Sequence, residues 1–331
     1  LRAGQNFSTK LGSDGTVIDY TVITDLGEEG STTGTDLQGM NGNTSGYYAL
    51  GSNIDASETS GWNNGAGWTP IGKSGSRFVG QFEGLGHTID SLYINRDAIS
   101  QGFFGEAQSA VIRNASLTNV DINGDDYTGG LVGINSLNSL VSNTFVSGAV
   151  RGNHNSSEKI GGLIGWNTSS SIITNSYAHA NIAGNKQVGG LVGLNNEKGK
   201  ISDSYSSGSV IGSSNTGGLL GQLSTEATVT NSYYDKDTNT GVMADSDDYG
   251  RTKAELMTIA TDEWQGNWVT SINGSDYAGY AADVIDLPVQ EALYAPSATL
   301  FEGGYGAASN PYTITNWNQL QNINYNTEVL K

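Results

Sequence analysis

The chain contains no cysteine, only 4 prolines, and 15 lysines and arginines against 33 acidic residues. Without cysteine there is neither a disulfide nor a thiolate metal site. A formal net charge of −18 argues against nucleic acid as a partner, because phosphate binding needs clustered Lys and Arg. No apolar run approaches the roughly 20 residues that span a bilayer, so no membrane insertion is expected. Apolar residues make up 36% of the chain, below the roughly 45–50% of globular domains, a range that also counts glycine. Such poverty suits disorder, but 16 Tyr, 7 Phe, 6 Trp and regularly spaced aliphatic residues argue against it.

What the chain has is glycine, 47 of them in 331 residues, and a repeat. Gly129–Gly133 reads Gly-Gly-Leu-Val-Gly, and it returns at Gly161–Gly165, Gly189–Gly193 and Gly217–Gly221 with Ile, Val and Leu at the fourth place. Gly102-Phe103-Phe104-Gly105 is a degenerate first copy. Counted at the Gly before the apolar pair, the steps are 28, 32, 28 and 28. The four extra residues fall in the turn Asn153–Glu158, where a structural repeat tolerates insertion. Other columns keep the phase: Val141, Ile173, Ile201 and Val229, with Arg113 breaking the first copy; Leu117, Phe145, Tyr177, Tyr205 and Tyr233; Ile122, Val150, Ile182 and Val210.

No unit carries a helical period, and each holds three short apolar stretches separated by Gly, Asn or Ser. The expected fold is therefore all-β, a right-handed parallel β-helix with three short strands per coil of about 28 residues. Like side chains stack from coil to coil, and the glycines are expected at corners of positive φ. The aromatic column belongs inside the stack. The predicted layout is irregular opening coils over 1–99, regular coils over 100–235, an acidic loop and short helix over 236–300, and the start of a second module copy over 301–331. The helix is announced by the capping box Thr252-Lys253-Ala254-Glu255, and a similar box at Thr35–Gln38 suggests a helical turn. The second copy rests on Tyr312–Thr315 and Gln319–Asn324 echoing Thr21–Thr24 and Asp36–Asn41.

Candidate sites are few. Asp235, Asp237 and Asn239 alternate oxygen-bearing side chains as a calcium loop does, although Gly241 falls one place late for an EF-hand. Calcium is the one cofactor the sequence suggests. Trp62 and Trp68, in a Gly/Asn-rich loop, are candidate exposed platforms for carbohydrate. His87, His154 and His179 show no metal-ligand spacing along the chain. Acidic pairs such as Asp125-Asp126, or Glu83 with Asp90, could serve a polysaccharide-degrading β-helix. No charged column stands at the repeat phases, so no catalytic residue is assigned and the chain reads as a non-enzyme.

The Gly-Leu-Val/Ile-Gly unit resembles the GLUG motif of filamentous-haemagglutinin-like exoproteins of two-partner secretion, and of accessory regions in some immunoglobulin A peptidases. Tyr48–Ala56, Phe78–Ile89 and Ile94–Arg96 strengthen the haemagglutinin-type likeness. The resemblance covers roughly residues 35–235. It implies a secreted shaft module of a large bacterial surface adhesin, exported through an outer-membrane secretion partner. Its expected role is cell attachment or biofilm cohesion through host or bacterial surface glycans or proteins. A carbohydrate-binding β-helix is the alternative.

Overall fold

A computed structural model describes residues 6–10, 17–239, 247–262, 268–269 and 289–290. One coil shows how the repeat folds. Thr128–Gly129, Val132–Ser136, Leu140–Ser142 and Phe145–Gly152 are its strands. Each pairs in parallel with its counterpart one coil on: Thr128 with Ile160, Val132 with Ile164, Val141 with Ile173, Val150 with Ile182. The regular coil thus has four strand positions where alternation suggested three. The extra one is a strand of two to four residues just before the motif leucine, too short to show a period. The result is a parallel β-solenoid. The sheet containing Leu140–Ser142 has nine strands, and all but Asn6–Lys10 join it in parallel, one per coil from Val17–Ile23 to Thr228–Thr230.

Both apolar residues of each motif are buried. Leu131, Leu163, Leu191 and Leu219 belong to one continuous core with Val132, Ile164, Val192 and Leu220. Phe145, Tyr177 and Tyr205 are fully buried and stack at 4.4 Å and 5.1 Å between ring centroids. At that height the main core takes Val146 and Ala178 instead, so the aromatic column is buried yet not part of the inner cluster.

The motif glycines are required for space, not for φ. Among the positive-φ glycines none belongs to the repeated Gly-Gly-Leu-x-Gly units. A Cβ at Gly161 would press on the carbonyl oxygen of Ile164 and lie 2.7 Å from the amide nitrogen of Gly193. Gly189 meets Val192 O and, at 2.6 Å, Gly221 N. The corners use polar residues instead. Asn114, Asn143, Asn175, Asp203 and Asn231 take φ between 46° and 53°, one per coil. Short Asx side chains tolerate this left-handed region better than other L-residues.

Register repairs the apparent break at Arg113. Val141 pairs with Ile112, a step of 29, and a bulge between Leu117 and Val120 restores the step of 28. Ile112 therefore fills the aliphatic column, and Phe145 stands opposite Ser116, not Leu117.

Buried polar groups close the coils. The amide of Asn135 donates to Asn167 Oδ1 and that of Asn167 to Asn195 Oδ1, both at 2.8 Å. After the left-handed residue, Thr144 N–H donates to Ser176 Oγ, Ser176 N–H to Ser204 Oγ and Ser204 N–H to Ser232 Oγ. These ladders satisfy backbone donors that the turns would otherwise leave unpaired.

The predicted helix is Lys253–Asp262. Its box is reciprocal: Thr252 N–H donates to Glu255 Oε2 at 2.7 Å and Glu255 N–H to Thr252 Oγ1 at 3.2 Å. The earlier box is displaced by one residue. The short 3₁₀ turn is Gln38–Gly42, and Asp36, not Thr35, accepts the Gly39 N–H at 2.6 Å. The proposed second module copy lies outside the described residues.

Candidate functional site

The two candidate platforms are core residues. Trp68 is fully buried and Trp62 is 8% exposed. Trp68 lies between Trp62 at 6.2 Å and Phe103 at 5.5 Å, each stacked at 21°, and its Nε1 donates to Phe103 O. The expectation of exposed rings fails because the loop folds inward. Arg96 fastens the loop by donating to Trp68 O at 2.8 Å and Gly67 O at 2.9 Å.

Asp235, Asp237 and Asn239 build the turn that leaves the stack. Asp235 is fully buried, and its two oxygens accept from Asp237 N and Thr238 Oγ1. Asp237 Oδ2 accepts the Lys253 N–H, at the start of the helix. Asn239 accepts from Val210 N and donates to Gly208 O, spanning back to the preceding coil. Each of the three carboxylate or amide groups thus serves the backbone, a job that explains alternating polar residues without an ion.

Charged residues do stack between coils, contrary to the sequence expectation. Glu83 stands opposite Arg113 and bonds its Nε at 2.6 Å; Arg151 reaches Asp121 at 2.6 Å; Lys186 reaches Glu158 at 3.0 Å. Glu83 is the buried member. Burial pushes its carboxyl up, while Arg113, the Asn114 amide and the Leu85 N–H draw it back toward the charged form. Two of these pairs were invisible at a step of 28, because Arg113 stands 30 residues after Glu83 and Arg151 30 after Asp121, whereas Lys186 follows Glu158 by one step of 28.

The three histidines differ sharply. His179 Nδ1 lies 2.8 Å from Ser207 Oγ. His154 is exposed, and Asp97 beside it raises its pKa. His87 is buried in the turn after Gly84; its Nδ1 donates to Asn53 Oδ1 at 3.2 Å, and its buried Nε2 has no partner. Burial pushes its pKa down to about 4. A histidine kept neutral in this way stabilises the fold fully above the ordinary value near ~6.5. That stability is lost as pH falls from there toward about 4, because the unfolded chain takes the proton first. The expected loss is about 3 kcal/mol between neutral pH and that limit. Urea unfolding across this range should show it, and His87→Gln should remove it. Parallel loss in both proteins would refute this account.

An outward aromatic residue that sequence reading missed is Trp166. It is half-buried on the outer face of the sheet Phe104–Gln108, Val132–Ser136, Ile164–Asn167, Val192–Asn195 and Leu220–Leu223. Its ring stacks on Tyr127 at 5.3 Å, and its Nε1 donates to Asn196 Oδ1. It lines a groove of about 320 Å³ with Ile134, Glu106, Arg77 and Glu197. Arg77 holds Glu106 at 2.6 Å, and Thr168 and Ser169 donate to Glu197. An aromatic face among hydrogen-bonding groups is the chemistry that receives a sugar ring.

Fold and repeat together define a parallel β-solenoid with a coil of about 28 residues. The sequence model described as the GLUG motif matches residues 184–211, one coil. Halomucin from Haloquadratum walsbyi is 39% identical over 129 residues, which is 35% of this chain and 1% of halomucin. The crystal structure of a putative immunoglobulin A1 protease from Bacteroides ovatus superposes with a TM-score of 0.51 at 16% identity, covering 82% of this chain and 92% of that one. At that identity the likeness is one of fold alone. Among the described residues no helix is long and apolar enough to cross a membrane.

Proposed function

We propose that the chain is a structural segment of a large protein displayed outside the cell, and that its turns present adhesive surface. The stack itself carries this reading. A solenoid gains length by adding coils, each in contact only with its neighbours. The interior columns here are filled from coil to coil, and a net charge of −18 keeps a long molecule dispersed. The likeness to halomucin supports an extracellular setting. The finer parts of the reading are attachment or biofilm cohesion, binding to surface glycans or proteins, and export through an outer-membrane partner. They rest on the resemblance of the repeat to filamentous-haemagglutinin-like exoproteins. In this reading the segment performs no catalysis, and release of product from acidic or neutral polysaccharides by the purified chain would overturn that. Antibodies against the chain are expected to label intact cells of the producing organism. Labelling that appears only after lysis would exclude surface display.

A second reading is favoured by one observation, the Trp166 groove, and makes the segment a glycan-binding module. On a glycan array Trp166→Ala should abolish whatever signal the unmodified chain gives. A blank array for the unmodified chain would dismiss this reading.

A further inference from the structure

The same turn of three successive coils carries Asp97, Asp125 and His154. They follow the strands Tyr93–Asn95, Ser116–Gly124 and Phe145–Gly152, at chain separations of 28 and 29 residues. Stacking brings one donor atom of each within 4.8 Å of the others. Linear spacing hides the group because its ligands are one coil apart.

His154 belongs to the insertion that lengthens this coil alone among the regular ones. The inserted turn is fastened backward onto the coils before it. Asn153 donates its amide to Arg96 O at 2.8 Å and its N–H to Gly124 O at 2.7 Å. Ser157 accepts the His154 N–H at 3.0 Å and donates to Asp125 Oδ1 at 3.1 Å. The imidazole is thereby held over the two carboxylates, with Nε2 2.5 Å from Asp97 Oδ1. Among the described residues no Lys or Arg forms an ion pair with Asp97 or Asp125. The Arg96 guanidinium next to Asp97 is committed to the carbonyls of Gly67 and Trp68.

We propose that Asp97, Asp125 and His154 bind one divalent transition-metal ion of the zinc class, which staples three consecutive coils. The donor set decides the class. One imidazole nitrogen with two carboxylate oxygens suits zinc and its first-row neighbours, whereas calcium takes oxygen ligands only. Three protein ligands leave the remaining position to water. Metal–ligand bonds of ~2.0–2.2 Å place tetrahedral donors ~3.4 Å apart. The widest-spaced donors must therefore close by about an ångström while the His154–Asp97 contact opens by about as much, small rotamer adjustments at the exposed Asp97 and His154. A cation also neutralises two carboxylates that have no lysine or arginine partner among the described residues.

The test is calorimetric titration of the whole chain, stripped of metal by chelator, with zinc chloride at neutral pH. One saturable site with micromolar affinity is expected. His154→Ala and, separately, Asp125→Asn should each weaken it at least tenfold, and His179→Gln should leave it unchanged. Cobalt in place of zinc should give a visible absorption band that His154→Ala removes, and millimolar calcium should not compete. Melting curves of the two ligand variants without metal should match the unmodified chain, since His154 is exposed and Asp125→Asn keeps an oxygen that can accept from Ser157. Absence of saturable zinc binding below millimolar concentration, or undiminished affinity in both ligand variants, would overturn the proposal.

Discussion

Gly189→Ala is expected to destabilise the solenoid by about 3 kcal/mol or more, at the upper end of the cost of overpacking. The added methyl group has nowhere to go. It meets the carbonyl of Val192 within its own coil and the backbone of Gly221 and Leu220 in the next, none of which is a movable side chain tip. Relief would require spreading two coils whose strands are fixed at Val192 with Leu220 and at Gly189 with Gly217. Gly190→Ala meets the same obstacle at Gly218 O. The control is Gly61→Ala, where nothing lies within 4 Å and the backbone is not left-handed. That change should stay within about 0.5 kcal/mol. Urea midpoints for the set give the comparison, and an unchanged midpoint for Gly189→Ala would disprove the packing account of the motif.

Trp68→Ala should cost about 3–5 kcal/mol, the usual range for deleting a buried large aromatic residue. The cavity would open between Trp62 and Phe103, and Phe103 O would lose the indole donor. Thermal unfolding followed by circular dichroism measures the loss. If Trp68→Ala melts with the unmodified chain, the ring is not the wedge described here. The result also bears on ligands. Loss of glycan binding in this variant would report an unfolded opening coil, whereas Trp166→Ala removes a ring from a formed surface.

The columns of the stack were legible because one residue type recurs at a fixed step and only its burial varies. Val150, Ile182 and Val210 pair as their phase predicts. The Asn135, Asn167 and Asn195 ladder kept the same phase, five residues after the motif glycine, and could have been read with it. The insertion at Asn153–Glu158 was legible from its step of 32, but insertions that cancel within one step were not. An added residue near Leu137 and a bulge near Asn119 cancel in the sequence count but shift the register between them, which is why Arg113 looked like a break. The reading of Trp62 and Trp68 failed for another reason. Polar composition in a loop says that its backbone is exposed to turns, not which way an aromatic ring points. Here two rings enter the core beneath a Gly/Asn turn held by Arg96. The Asp97, Asp125 and His154 cluster became visible only when the coil was used as the unit of distance in place of the residue.

The coil also sets how the molecule would yield under load. The hydrogen bonds that join coils run along the stack, so tension applied at its ends pulls on one rung at a time and peels it from the next. Each regular coil of 28 residues would then release its chain as a single event. Its fully extended length is about 90–100 Å, while the folded coil occupied only about 4.8 Å of axis. A filament built this way is short and stiff at rest, and it holds in reserve roughly twenty times its folded length, paid out coil by coil.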